Sequence, residues 1–193
     1  SYLKTAFENS NFIFDQIEFA NTYTNDIVLQ HERSIYTDVI KAIDIESNEL
    51  IDFTTTMHSS KDSYAISKRD RPLAYIIKKN NYGFIDKLDD VGVNYVEFEK
   101  DTMIYSGSYK VVEFNNNFKV YEKMKMQKVV TSIEYSNNKF SKGDILISMN
   151  QKRSNLIAEL LEPEAPNSYV SFGIIKTSLN KQLPIYRIKN FNN

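Results

Sequence analysis

His31 and His58 are the only imidazoles in this chain, and together they bound its metal and triad chemistry. A hydrolytic zinc site needs nitrogen, oxygen or sulfur donors converging at about 2.0–2.3 Å. His31 opens the run His-Glu-Arg-Ser and His58 opens His-Ser-Ser-Lys, so neither has a second ligand at metal spacing. A Ser-His-Asp triad would have to use one of them, and no Gly-x-Ser-x-Gly elbow is present. The five glycines are too scattered to cradle a phosphate. Paired carboxylates could hydrolyse a glycosidic bond, with Glu162 and Glu164, or Asp89 and Asp90, as candidates. Sequence does not place such groups at a working separation, and acidic side chains near helix ends and turns are ordinarily solvated. Cysteine is absent, which excludes disulfides, thiolate chemistry and cysteine-held zinc or iron–sulfur clusters. Nothing in the chain qualifies as a catalytic or metal-ligating residue, and no cofactor is expected within it.

Charge points away from polyanions. There are 24 basic and 25 acidic residues, with the signs interspersed, so no basic stripe follows a phosphate backbone and no nucleic-acid partner is expected. The three lysines between Lys123 and Lys128 alternate with methionine and glutamine, the pattern of a wet strand face. No apolar run approaches the ~20 residues that span a bilayer. The chain begins with Ser, which suggests a processed or truncated product. Thirteen tyrosines and no tryptophan hint weakly at a sugar- or peptide-binding face, although tyrosine in strands is more often sheet packing.

Such residues would have to be held by a core, and 193 residues at 41% hydrophobic suffice for one. Leu3, Ala6, Phe7, Ser10, Phe14, Ile17 and Ala20 follow helical spacing, which predicts a helix over 2–30. Phe12, Ile13 and Phe19 widen its stripe, so it packs either on this domain or on a neighbouring one. Residues 34–67 read as a hairpin of exposed strands turning at Ser47-Asn48, with helix an alternative for 37–43. Residues 72–99 read as strand, helix, strand, with Gly92 at the left-handed C′ position; short joints predict parallel strands. Residues 104–136 read as an antiparallel hairpin turning at Asn115–Asn117. Lys142-Gly143-Asp144 turns into a strand, Ser154 or Asn155 starts a short helix that Pro163 stops, and the tail from Asn180 looks mobile. The fold class expected is α+β: a long N-terminal helix, then a mixed, mostly antiparallel sheet with a strand–helix–strand unit and one short C-terminal helix. Two parts follow, 1–33 and 34–193.

One stretch is more specific. Phe140-Ser141-Lys142-Gly143-Asp144-Ile145-Leu146-Ile147, then Asn150-Gln151, then Leu156 through Leu161-Glu162-Pro163-Glu164 to Tyr169, resembles the end of bacterial zinc carboxypeptidases of the carboxypeptidase A type. In that family a non-catalytic region beyond the peptidase domain carries a Gly-Asp strand, a Gln and a Leu-Leu-Glu-Pro-Glu run. Arg71 to Ile77, followed by a helix ending in Val91-Gly92-Val93, is similar to the earlier part of that region, and the N-terminal helix to the closing helix of the peptidase domain. The motif positions are Gly143, Asp144, Gln151, Leu161, Glu162, Pro163 and Glu164, for which packing roles are favoured. Gln151 and Glu162 are candidates to hydrogen-bond main chain and fix neighbouring loops.

The resemblance implies a zinc-dependent parent whose metal ligands lie upstream of Ser1, in a peptidase domain that would be this region's partner. It also implies secretion or a periplasmic location. The function expected is an accessory domain that braces the peptidase domain or shapes peptide access. The alternative is a stand-alone peptide- or glycan-binding module, with a carboxylate-based hydrolase last.

Overall fold

The computed structural model describes residues 2–22 and 26–190. The chain divides into two compact units, Val28–Lys68 and the combination of Ser1–Ile27 with Arg69–Asn193. Nearly half of it is strand.

The smaller unit is one long hairpin. Strand β1 (Ile27–Ile43) and strand β2 (Leu50–Arg69) form a two-stranded sheet. Asp44 shapes its turn: its carboxylate accepts from the Glu46 N–H at 2.8 Å, and Asn48 takes a φ of 58°, a conformation asparagine tolerates. From residue 30 to 68 no described side chain is buried. Alternation therefore exposes apolar groups on both faces, with Ile35, Val39 and Ile43 on one and Tyr36 and Ile40 on the other.

The larger unit holds a six-stranded sheet. Its strands are β3 (Ala74–Ile77), β4 (Val96–Glu97), β5 (Thr102–Tyr121), β6 (Met124–Phe140), β7 (Ile145–Ser148) and β8 (Gln182–Ile188). They lie in the order β4-β7-β3-β8-β5-β6, and every neighbouring pair is antiparallel. The Ala-Tyr-Ile-Ile run of β3 has no polar alternation because it is covered on both faces. One face packs Ala74, Ile76, Phe140, Tyr186 and Ile188 together, with Phe98, Ile104 and Leu146 at the edge. The register puts Tyr75, Arg187 and Ile147 on the other face, toward helix α4 (Ser154–Leu161) and the turns that follow it. Gly107 lies opposite Arg187, and a Cβ there would sit 2.8 Å from Ile133 and 2.9 Å from the Tyr135 ring.

Five expectations are corrected. The class is not α+β with a long first helix; it is a mostly β chain with few short helices. The N-terminal helix is two pieces, α1 (Tyr2–Glu8) and α2 (Ser10–Thr22), parted at Asn9. The Asn9 amide donates to the Thr5 carbonyl at 2.8 Å, a local bond that competes with the helical ladder. Apart from half-buried Ser10, the described side chains of both pieces are exposed. Ile27-Val28-Leu29 belongs to β1, where β-branched residues are favoured.

The strand–helix–strand segment makes no parallel pair and the sheet is not mixed. A 3₁₀ turn (Lys79–Phe84) and α3 (Ile85–Asp90) do connect β3 to β4, but β7 lies between the two strands. Gly92 does take the left-handed conformation, with φ 66°, and its N–H and that of Val93 bond back to Asp89 and Leu88 as a Schellman cap requires.

The long hairpin turns at Glu122-Lys123, both at positive φ, and not at the asparagine triplet, where the register shifts within the strand. Finally, the tail from Asn180 is not loose. It forms β8, which pairs with both β3 and β5 in the middle of the sheet. Pro184 is tolerated there because it falls where the β5 pairing is irregular.

Candidate functional site: a buried carboxylate cluster

The Leu161-Glu162-Pro163-Glu164 run ends α4 and aims its carboxylates inward. Proline disfavours helical backbone in the residue before it, and Glu162 adopts an extended ψ of 118°. The Ala165 N–H then closes a turn on the Glu162 carbonyl at 3.0 Å. Glu162 is wholly buried, and three side chains reach it. The Tyr75 hydroxyl donates to Oε1 at 2.6 Å and the Tyr109 hydroxyl to the same oxygen at 2.8 Å. Arg69 Nη1 donates to Oε2 at 2.7 Å.

The second Arg69 nitrogen, Nη2, donates to Glu164 Oε1 at 3.1 Å, so one guanidinium bridges both carboxylates. Glu164 also accepts from the Thr131 N–H at 2.7 Å and the Thr131 hydroxyl at 2.8 Å. This fastens the turn after α4 to β6. A buried carboxylate is stable only when paired and hydrogen-bonded, and both conditions are met.

Arg187 is a fully buried cation. Its Nη2 donates to the Asp70 carbonyl oxygen and lies 3.5 Å from the Asp70 carboxylate. Its Nε and Nη1 find no hydrogen-bond partner among the described residues. Burial works against its charge, but the Tyr109 and Glu162 side chains favour it and hold its pKa above the ordinary arginine value. Burial pushes the Tyr75 and Tyr109 phenols well above the usual tyrosine range, and the Glu162 charge adds to it.

The other motif positions brace local structure. Leu161 is buried in the core and Pro163 is also buried. Gly143 has φ 89°, which favours glycine. Buried Asp144 accepts from the Ser141 N–H and the Lys79 N–H, each at 2.8 Å, joining the turn before β7 to the end of β3. The Gln151 amide accepts from the Asn94 N–H at 2.9 Å and donates to the Asn94 and Ser148 carbonyls at 2.9 Å and 2.7 Å. Gln151 therefore clamps main chain, whereas Glu162 takes side-chain donors. Glu162 and Glu164 come together while Gln151, Gly143 and Asp144 serve other turns. The partners that sequence reasoning missed are Arg69, Tyr75, Tyr109 and Arg187. An arginine and two tyrosines at otherwise apolar strand positions were the available signal.

As an acid–base pair, Glu162 and Glu164 are already occupied by a shared guanidinium. Asp89 and Asp90 are exposed on α3, and Asp89 accepts from the Tyr95 hydroxyl at 3.2 Å. The two histidines, distant in sequence, line one recess of the hairpin unit with Glu32, Arg33 and Tyr64. The Tyr64 hydroxyl donates to Glu32 at 2.9 Å. Among the described residues no three His, Cys, Asp or Glu side chains converge as a metal cage, so the donor set does not fit a zinc centre. No helix among them is long and apolar enough to cross a membrane.

No protein-family model and no solved structure match this chain. It is similar to Carboxypeptidase 2 of Trichophyton equinum, 29% identical over 199 aligned residues that cover 98% of this chain and 36% of that protein. Carboxypeptidase 2 of Trichophyton tonsurans is 27% identical with the same coverage. Probable carboxypeptidase 2 of Arthroderma benhamiae is 27% identical over 84% of this chain and 32% of its own length. The chain thus spans about a third of the length of the curated relatives it matches. These relatives are fungal, whereas the resemblance drawn from the motif was to bacterial proteins.

Proposed function

We propose that this chain is a non-catalytic accessory domain of a carboxypeptidase-like protein of the zinc-dependent carboxypeptidase A type, placed C-terminal to the peptidase domain. The observation that carries the reading is the likeness along 98% of this chain to only 36% of a protein named Carboxypeptidase 2. A region of that proportion leaves room for a separate catalytic domain in the relatives. The donor geometry supports it, since the described carboxylates of the motif serve packing.

The hairpin supports a bracing role. A two-stranded sheet is marginal in water without a covered face, and this one exposes apolar groups on both. A peptidase domain that covers it would order it. The location that goes with this reading is secreted or periplasmic.

The test is zinc content and release of C-terminal residues from a peptide, both measured on this chain alone. We expect substoichiometric zinc and no release. Zinc-dependent release of terminal amino acids would overturn the proposal.

A further inference from the structure

Charges of both signs mix along most of the chain, but the outer end of the β5–β6 hairpin departs from that pattern. Between Asn115 and Val130 it carries Lys119, Lys123, Lys125 and Lys128 against a single carboxylate, Glu122. All four lysines are exposed, and none forms an ion pair among the described residues. Apolar groups stand among them, with Phe118, Val120 and Met124 also exposed.

This arm is fixed to its own unit. Met126 is buried, the Tyr121 ring meets Phe172 edge-on at 6.3 Å, and the Gln127 N–H donates to the Ser171 carbonyl at 2.9 Å. Val120 is paired with Lys125 across the strands, so an apolar side chain and an ammonium group stand side by side. Lys128 lies 5.2 Å from the Phe118 ring centroid.

A complementary surface occurs on the same sequence. The turn between β1 and β2 holds Asp44, Glu46 and Glu49, and no cation lies from Ala42 to Ile51. None of the three carboxylates is in an ion pair among the described residues. Ile45 between them is 96% exposed, and Leu50 is exposed as well. The turn is shaped in advance by its own bonds: the Asp44 N–H donates to the Glu49 carbonyl at 2.9 Å and the Asn48 N–H to the Asp44 carbonyl at 2.8 Å.

The arm thus sets apolar groups among ammonium groups, and the turn sets them among carboxylates. Opposite potentials steer such surfaces together, and burial of the apolar groups holds them there. A lipid surface would suit the lysines but would leave the acidic turn without a counterpart. A polynucleotide would need a longer basic track. Each copy of the chain carries both surfaces, so a two-fold arrangement makes the contact twice.

We propose that the β5–β6 arm docks the acidic β1–β2 turn of a second copy of this chain, reciprocally, in a two-fold dimer. The contact uses only the turn end of the β1–β2 hairpin and stands whether or not a peptidase domain covers its strands.

The test is sedimentation velocity of the full chain with two charge-reversed variants. One is Lys119→Glu with Lys125→Glu, and the other is Glu46→Lys with Glu49→Lys, all at exposed positions. We expect the unaltered chain to dimerise with a Kd of about 10–100 µM at low salt. The dimer should weaken at least about tenfold between roughly 50 and 500 mM salt. Each variant alone should be monomeric, because arm and turn then carry like charge. An equimolar mixture of the two should dimerise again, since both contacts between them are restored. A monomer under all these conditions, or variants that associate as the unaltered chain does, would overturn the proposal. Binding of the unaltered but monomeric chain to phosphatidylserine vesicles, lost in the lysine variant, would overturn it in favour of a lipid surface.

Discussion

The hairpin of residues 28–68 and the sheet around Glu162 are both built from antiparallel strands, but they differ in what satisfies their side chains. In the sheet even the charges are enclosed. Glu162 takes three donors and Arg69 bridges two carboxylates. In the hairpin from residue 30 onward even the apolar groups are left out, with Ile43 at 65% exposure and Leu50 at 67%. The first region carries its own stability within the chain. The second has the composition of a covered surface and no cover of its own among the described residues. One part of the fold thus encloses its side chains within the chain, and the other leaves apolar groups exposed, as the bracing role proposed above would require.

The largest effect expected is at Glu162. Replacing it with alanine leaves the partly buried Arg69 without its nearest carboxylate and two buried phenols without an acceptor, and should cost about 3–5 kcal/mol in chemical denaturation. A loss under about 1 kcal/mol would mean that the cluster is incidental.

Alkali probes the same cluster. The folded-state pKa values of Tyr75 and Tyr109 are raised, so the stability they contribute is present below the ordinary tyrosine pKa and lost as pH rises above it. In an ultraviolet titration the exposed tyrosines should ionise first, and these two only as the chain unfolds. Ionisation of all thirteen in one step, with the fold intact, would contradict the buried geometry. At the other end of the scale, Val39→Ser with Ile43→Ser should change the stability of this chain by no more than about 0.5 kcal/mol per site, since both side chains are exposed. A larger loss would show that the hairpin supports itself.

Much of the hairpin was legible in the sequence. The β-branched run and the Ser47-Asn48 turn have local causes, and local causes are what a sequence displays. The same holds for Gly92 and for α4 with its proline stop. The sheet was less legible because its determinants are long-range. Arg69 and Glu162 are 93 residues apart. Strand β8 carries a proline and an arginine, which read as loop residues until β3 and β5 flank them. The asparagine triplet looked like the turn because asparagine tolerates positive φ, yet Glu122 and Lys123 adopt that conformation. Of the motif positions, Gln151 bonds only to the main chain of Asn94 and Ser148 among the described contacts. Glu162 differed because its donors come from three other segments.

Hydrogen exchange on this chain alone tests the contrast most directly. Amides of β3, β7 and β8 should exchange only through the largest openings, and those of residues 30–68 orders of magnitude faster, near the rate of an unsupported hairpin. Equal protection of the two regions would contradict the proposal that a covering partner orders the hairpin.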